Sequence, residues 1–272
     1  TFGLAVRLSS DGDTLAVSAP FEGSAATGVA GQQDDETAPG SGAVYVFTRR
    51  AGAWSQQSYL KASNTGRGDQ FGWSLALSSD GNTIAVGATD EDGGATGVNG
   101  IGSDESKPNA GAAYVFSRSG SLWAQQAYLK ASNTGEEHNF GISITISGDG
   151  NRVAVGAYGE GSAGTGRDGA QLPNSGLPGA GAVYDFVRSG GTWAQQAYLK
   201  ATIPGEFHYF GRSLAVSADG RTLIIGASQE RSKASGVNGD QGDDSAPAAG
   251  AGQVYWSRAA TPAAGPGGPC RG

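Results

Sequence analysis

The amino-acid sequence predicts an all-β protein, a β-propeller with four-stranded antiparallel blades, and three observations point to it. Phe-Gly pairs recur at Phe2-Gly3, Phe71-Gly72, Phe140-Gly141 and Phe210-Gly211, at spacings of 69, 69 and 70 residues. A fixed period of that length marks a repeat architecture. Each pair opens two alternating runs joined by an Asp-Gly, the strongest short-range hairpin signal. Glycine supplies 48 of 272 residues and charged residues only 16%, which suits short strands and turns rather than a helical bundle or an unfolded polyelectrolyte.

The second unit shows the elements in order. A first strand runs through Ser74-Leu75-Ala76-Leu77-Ser78, with Phe71, Trp73, Leu75 and Leu77 on one face and Gly72, Ser74, Ala76 and Ser78 on the other. One bulky face against one small face suits a wedge-shaped blade covered on both sides. The Asp80-Gly81 turn follows, matched by Asp11-Gly12, Asp149-Gly150 and Asp219-Gly220. A second strand, Thr83 to Ala88, leads into a long loop rich in Gly, Ser, Asp and Ala. The third strand is Ala112-Ala113-Tyr114-Val115-Phe116, with counterparts from Ala43 to Phe47, from Ala182 to Phe186, and at Gln253-Val254-Tyr255-Trp256. A short glycine turn precedes the fourth strand, which runs from Trp54 to Leu60, from Trp123 to Leu129 and from Trp193 to Leu199.

The blades are therefore expected at about 1–70, 71–139, 140–209 and 210–258. The fourth unit lacks a Trp-x-Gln-Gln-x-Tyr-Leu strand, and the Pro- and Gly-rich residues 259–272 read as a disordered tail. Two closures stay open: a four-bladed ring with one thin blade, or part of a larger, for example seven-bladed, propeller. An open blade edge would invite self-association. The sequence has no methionine and opens inside a repeat, so a removed leader or further N-terminal repeats are expected.

Net charge is −7, and an acidic surface makes nucleic acid and anionic membranes poor partners. A single cysteine, Cys270, and two histidines, His138 and His208, leave neither an internal disulfide nor a Cys/His zinc site. No apolar stretch is long enough to span a bilayer.

The four Phe-Gly pairs, the closing Gly87-Ala88, Gly156-Ala157 and Gly226-Ala227, and the Ser18-Ala19-Pro20 of the first unit resemble the FG-GAP repeats of integrin α-subunit propellers. Thr96-Gly97-Val98-Asn99-Gly100, Ser235-Gly236-Val237-Asn238-Gly239 and the Trp-Ala-Gln-Gln-Ala-Tyr-Leu-Lys strands are similar to the short-loop bacterial version of that family. The resemblance implies a secreted or cell-surface protein, bacterial in origin, that binds its ligand on the long-loop face. It also implies a calcium loop between strands one and two. Here that loop is Ser78-Ser79-Asp80-Gly81-Asn82-Thr83 with one Asp, too few oxygens for Ca2+.

In an up-and-down blade the long loop and the loop before Phe-Gly share one end, where binding residues are expected. Glu22, Glu91, Glu160 and Glu230 recur there, three residues beyond the Ala that ends strand two. Asp34 and Asp35, Asp104 and Glu105, and Asp240, Asp243 and Asp244 lie further along, whereas the third loop reads Leu172-Pro173-Asn174. These carboxylates read either as acceptors that hold glycine-rich loops in shape or as ligands of Ca2+. In the second reading the ion sits on Glu22, Asp35, Glu91, Asp104, Glu160, Glu230 and Asp243.

Asp69, His138 and His208 share one repeat position and read as exposed turn residues or as an acid–base pair. With Tyr158 and Arg167, which lie beside Asp168 in the divergent third loop, they form the candidate ligand-binding set. Trp54, Trp123 and Trp193 read as packing residues, with sugar stacking as the alternative. Arg67-Gly68-Asp69 reads as a chance tripeptide. No nucleophile elbow, phosphate loop or metalloprotease helix occurs. The expected function is a non-catalytic extracellular binding or adhesion module for a protein or glycan. The alternatives are a polysaccharide lyase or hydrolase, or a structural segment of a surface protein or fibre.

Overall fold

The computed structural model describes residues 1–172 and 176–256. The fifteen strands among them make four antiparallel sheets, each a meander in chain order. The first holds β1 (Val6–Leu8), β2 (Thr14–Ala19), β3 (Ala43–Arg50) and β4 (Ala53–Leu60). The second holds β5 (Phe71–Leu77), β6 (Thr83–Ala88), β7 (Ala112–Ser119) and β8 (Leu122–Leu129). The third holds β9 (Ser143–Ile146), β10 (Arg152–Ala157), β11 (Ala182–Ser189) and β12 (Thr192–Leu199). The fourth has three strands, β13 (Phe210–Val216), β14 (Thr222–Ala227) and β15 (Ala251–Trp256). The expected tail at 259–272 lies outside the described residues.

Local chemistry explains each turn. Between β5 and β6 the Asp-Gly is the middle of a longer loop rather than a two-residue turn. Ser78 N–H donates to the Thr83 carbonyl at 2.9 Å, and Asp80 Oδ1 accepts from Ser78 Oγ at 2.6 Å and from Asn82 N–H at 3.0 Å. Asp80 thus spends its acceptors on the turn, and the calcium loop of the resemblance does not fit here. Between β11 and β12 the turn is the two-residue Gly190-Gly191, at φ 56° and 83°, the doubly left-handed hairpin that glycine favours.

Successive sheets stack through a bulky face against a small one. Phe71, Leu75, Ile84, Val86, Tyr114 and Phe116 of the second sheet bury against Ala16, Val44, Val46 and Leu60 of the first. Phe210, Leu223 and Ile225 of the fourth bury against Ala154, Val183 and Leu199 of the third in the same way. In the first three blades the Phe of the Phe-Gly pair meets two rings of its own blade edge-on, as Phe140 does with Tyr184 and Phe186 at 5.3 and 6.2 Å between centroids. The signature glycines lie where backbones touch. A Cβ on Gly111 would fall 2.1 Å from the Phe140 carbonyl oxygen, and one on Gly87 2.1 Å from that of Gly141.

The stack is an open arc. β1 is exposed along its length, leaving Phe2, Leu4, Val6 and Leu8 uncovered, and Ile224, Val254 and Trp256 lie uncovered on the last sheet. The register of β15 differs from the sequence alignment by two residues. Gly250, not Gly252, takes the place of Gly181, donating to the Glu230 carbonyl at 2.9 Å as Gly181 does to Glu160 at 2.8 Å. Tyr255 then packs on Phe210, at 6.3 Å, where Phe186 packs on Phe140. A two-residue shift keeps every side chain on its face. The Tyr184 hydroxyl bonds Asn133, but Ile203 stands at the equivalent position and offers no such partner.

Candidate functional site

The long-loop end is built on one repeated cluster of charges. The lysine that follows the fourth strand turns inward, and its ammonium meets the loop glutamate. Lys61 reaches Glu22 at 2.9 Å, Lys130 reaches Glu91 at 2.6 Å and Lys200 reaches Glu160 at 2.6 Å. All three lysine side chains are fully buried. Burial lowers their pKa values, and the glutamates partly oppose that shift. Burial would raise the Glu160 carboxyl, but the Lys200 ammonium, the Ser162 bond and His138 together hold the group below its ordinary range.

The remaining acceptor capacity is used as well. Glu91 also accepts from the Tyr128 hydroxyl at 2.6 Å, Asn64 Nδ2 at 2.8 Å and Gly93 N–H at 3.0 Å. Glu22 takes Ser24 N–H, and Glu160 takes Ser162 N–H and Asn133 Nδ2. Further along the loops Asp35 accepts from Ala25 and Thr37 N–H, Asp104 from Ser106 N–H and Asp243 from Ser245 N–H. Glu230 accepts from Ser232 N–H and Oγ. These bonds are those of the loop-holding reading. Among the described residues no group of three or more His, Cys, Asp or Glu side chains gathers as a metal site.

Asp69, His138 and His208 are not exposed turn residues: they are 4%, 3% and 3% exposed. Each folds back over a glycine three residues earlier (Gly66, Gly135 and Gly205), where a Cβ would collide with it. Burial, with Glu91, Glu105 and Asp92 nearby, raises the Asp69 carboxyl to about 7. Burial lowers His138 from its ordinary value. In Asp69 and His138 alike, burial favours the uncharged form. The Asp69 carboxylate bonds Gly66 N–H at 2.8 Å, so Arg67-Gly68-Asp69 does not present it to solvent. Trp123 and Trp193 are buried, whereas Trp54, on the uncovered first sheet, is exposed.

Tyr158 and Arg167 do not come together as a pair. Arg167 bridges to Leu199 of β12 and faces Asp168 at 3.4 Å on the surface. Tyr158 instead meets Tyr209 edge-on at 5.2 Å, Arg212 lies over its ring at 5.2 Å, and Phe207 packs on Tyr209 at 6.3 Å. A hollow of about 280 Å3 adjoins this cluster, lined by Glu136, Glu137, His138, Gly159 and Pro178 among others. Phe207 and Tyr209 stand at φ 58° and 55°, uncommon values for aromatic residues, whereas the first junction has Gly68 and Gln70 there and the second Glu137 and Asn139. The sequence signal was a double departure from the repeat, aromatic at two positions where the other units are polar or glycine.

The profile of the FG-GAP repeat matches residues 54–116 and 123–172. No curated protein matches the chain. Among solved structures the chain is similar to the Kuenenia stuttgartiensis hydrazine synthase, at 15% identity and a TM-score of 0.42, over 81% of this chain and 40% of that one. The repeated Phe-Gly junctions, the antiparallel meanders and the matched segments together show FG-GAP repeats over residues 54–116 and 123–172, within a fold of the β-propeller type.

Proposed function

We propose that the protein is a non-catalytic, extracellular binding module that offers its long-loop end to a protein or carbohydrate ligand, anchored where the third blade meets the fourth. One observation carries this reading. Tyr158, Phe207, Tyr209 and Arg212 all depart from the repeat, and all four converge at one junction. The exposed Phe207 ring and the half-buried Tyr158 and Tyr209, beside Glu136 and Glu137, combine a stacking surface with hydrogen-bond acceptors. That mixture suits a sugar ring or an amphipathic peptide side chain. The family resemblance supports a surface location, and no helix long and apolar enough to cross a membrane occurs among the described residues. Acid–base catalysis is less well supported, because Arg167 lies on the strap over β12 and His208 is buried.

The test is a glycan and cell-surface protein array, followed by titration of the best ligand. Tyr158→Ala and Phe207→Ala are expected to weaken binding by about tenfold or more, with the β-type circular dichroism unchanged. An affinity unmoved by both substitutions would place the ligand elsewhere.

A further inference from the structure

In the first three blades the end of the fourth strand is held from two sides. One side is the third strand of its own sheet. The other is a strap from the long loop: Val29, Val98 and Arg167 bridge to Leu60, Leu129 and Leu199. The strap residues Ala30, Asn99 and Asp168 donate N–H to the Tyr59, Tyr128 and Tyr198 carbonyls at 2.9, 2.8 and 2.7 Å. In return Lys61, Lys130 and Lys200 donate N–H to Gly28, Gly97 and Gly166 at 2.7, 2.8 and 2.8 Å. Asn99 and Asp168 also accept, through their side chains, from Tyr128 and Tyr198 N–H at 2.9 Å. The same lysines carry the ammonium groups that sit on the buried glutamates.

In the last blade the holder is present, and among the described residues the held strand is not. Among the described residues β15 pairs only with β14. The strap is formed: Gly236 and Asn238 stand at φ 75° and 58°, matching Gly97 and Asn99 at 73° and 54°. Between them Val237, the counterpart of Val98, is 90% exposed. Glu230 is 6% exposed, yet among the described residues no ammonium faces it. A groove of about 650 Å3 runs between strap and edge, lined by Ser232, Val237, Asn238 and Gly252 to Tyr255 among others.

We propose that this groove accepts a β-strand from a partner polypeptide: an extended segment bearing Tyr-Leu-Lys, laid antiparallel to β15, with its lysine on Glu230. The incoming tyrosine's N–H and C=O meet Asn238 Oδ1 and N–H. Its leucine faces Val237, and the lysine's N–H meets the Gly236 carbonyl. Main-chain bonds along the edge supply affinity, and the buried carboxylate selects the lysine. Two nearer occupants fit poorly. Residues 257–272 contain no Tyr, Leu or Lys and carry Pro262, Pro266 and Pro269. In a second copy the three Tyr-Leu-Lys segments are already seated in their own blades.

The experiment titrates the 272-residue chain into a fluorescein-labelled peptide reproducing residues 192–202 and follows anisotropy. Saturable one-to-one binding is expected. Norleucine in place of the peptide's lysine is expected to weaken it by about tenfold or more against the native chain, and to make little difference against Glu230→Gln. Thermal melting of Glu230→Gln checks that the variant folds. No saturable binding, or equal binding of the norleucine peptide to the native chain, would overturn the proposal. So would a chain ending at residue 256 that binds tenfold more tightly, since the tail would then be the occupant. A dimer that the peptide dissociates would give the groove to a second copy and overturn it too.

Discussion

The repeated lysine–glutamate pair shows how a single buried charge is tolerated. Lys130 is stripped of water, and its ammonium is repaid by Glu91 at 2.6 Å, whose other acceptors are filled by Tyr128, Asn64 and Gly93. Removing one partner leaves the other charge uncompensated, so Lys130→Met is expected to cost about 3–5 kcal/mol in urea or thermal unfolding. Since the carboxylates are already occupied, millimolar Ca2+ is expected to leave the melting temperature where a chelator leaves it. Asp69 gives a pH-dependent counterpart. Its folded pKa of about 7 lies above the ordinary carboxyl value of 3.8, because of burial and then Glu91, Glu105 and Asp92, with Lys61 and Lys130 also within its field. The folded state therefore binds more protons than the unfolded state between those values, and stability falls as pH rises through that window. Asp69→Asn keeps an acceptor for Gly66 N–H. It is expected to be more stable than the native chain at pH 8, by up to ~4 kcal/mol, with the difference closing toward acid pH. Equal melting temperatures at pH 8 would show that the carboxyl is not held protonated.

At the scale of the element, the Trp-x-Gln-Gln strand is a latch between blades. Gln126 of β8 accepts through Oε1 from Trp193 Nε1 and Arg188 Nη1 of the next blade, both at 2.8 Å, while Arg188 also lies over the Trp193 ring. Its neighbour Gln125 reaches back to Ser63 of the preceding blade at 2.9 Å. Gln126→Ala leaves the indole and guanidinium without this acceptor and is expected to cost about 1–3 kcal/mol. Gln56→Ala, on the exposed strand of the first sheet, is expected to cost far less. Strand order, turn positions and the thin fourth sheet were all legible in the sequence, because a period of two and recurring Asp-Gly are local signals. The latch and the charge pairs were not. Gln126 and Trp193 lie 67 residues apart, and Glu91 and Lys130 lie 39 apart. Nothing local in the sequence says that the strand end bearing the lysine is strapped and its ammonium buried. The histidine position misled for a related reason: Asp69, His138 and His208 look like surface chemistry, and nothing local says that each folds back over the glycine three residues earlier and is buried. In the candidate site only Tyr158 of the five named residues joins the aromatic junction. Its partners come from a segment 49 to 54 residues further on, at Phe207, Tyr209 and Arg212.

At the scale of the molecule, the arc has two unlike ends. The first sheet offers the bulky face that each later blade buries, with Phe2, Val6 and Leu8 uncovered and Phe2 edge-on to Tyr45 at 5.3 Å. The last sheet offers the side that is small in other blades, but Ile224 stands where Ala16, Ala85 and Ala154 stand in the others, with Val254 and Trp256 beside it. Uncovered apolar faces of this kind drive association. The isolated chain is expected to sediment as concentration-dependent oligomers, and Val6→Lys with Trp256→Lys is expected to shift it toward monomer. A native chain that stays monomeric at all concentrations would mean that these faces do not pair.

The backbone contacts at the junctions have a consequence for how such a molecule grows. Gly111 against Phe140 and Gly181 against Phe210 are the same contact, and Gly87 against Gly141 repeats as Gly156 against Gly211. Each blade therefore carries one half of a joint on its leading side and the other half on its trailing side. Duplicating a whole unit would lengthen the series without inventing a new interface, whereas inserting half a unit would put two like halves together. Selection can thus add or remove blades in single steps, and the number of blades in a relative is free to drift while the chemistry of every joint stays the same.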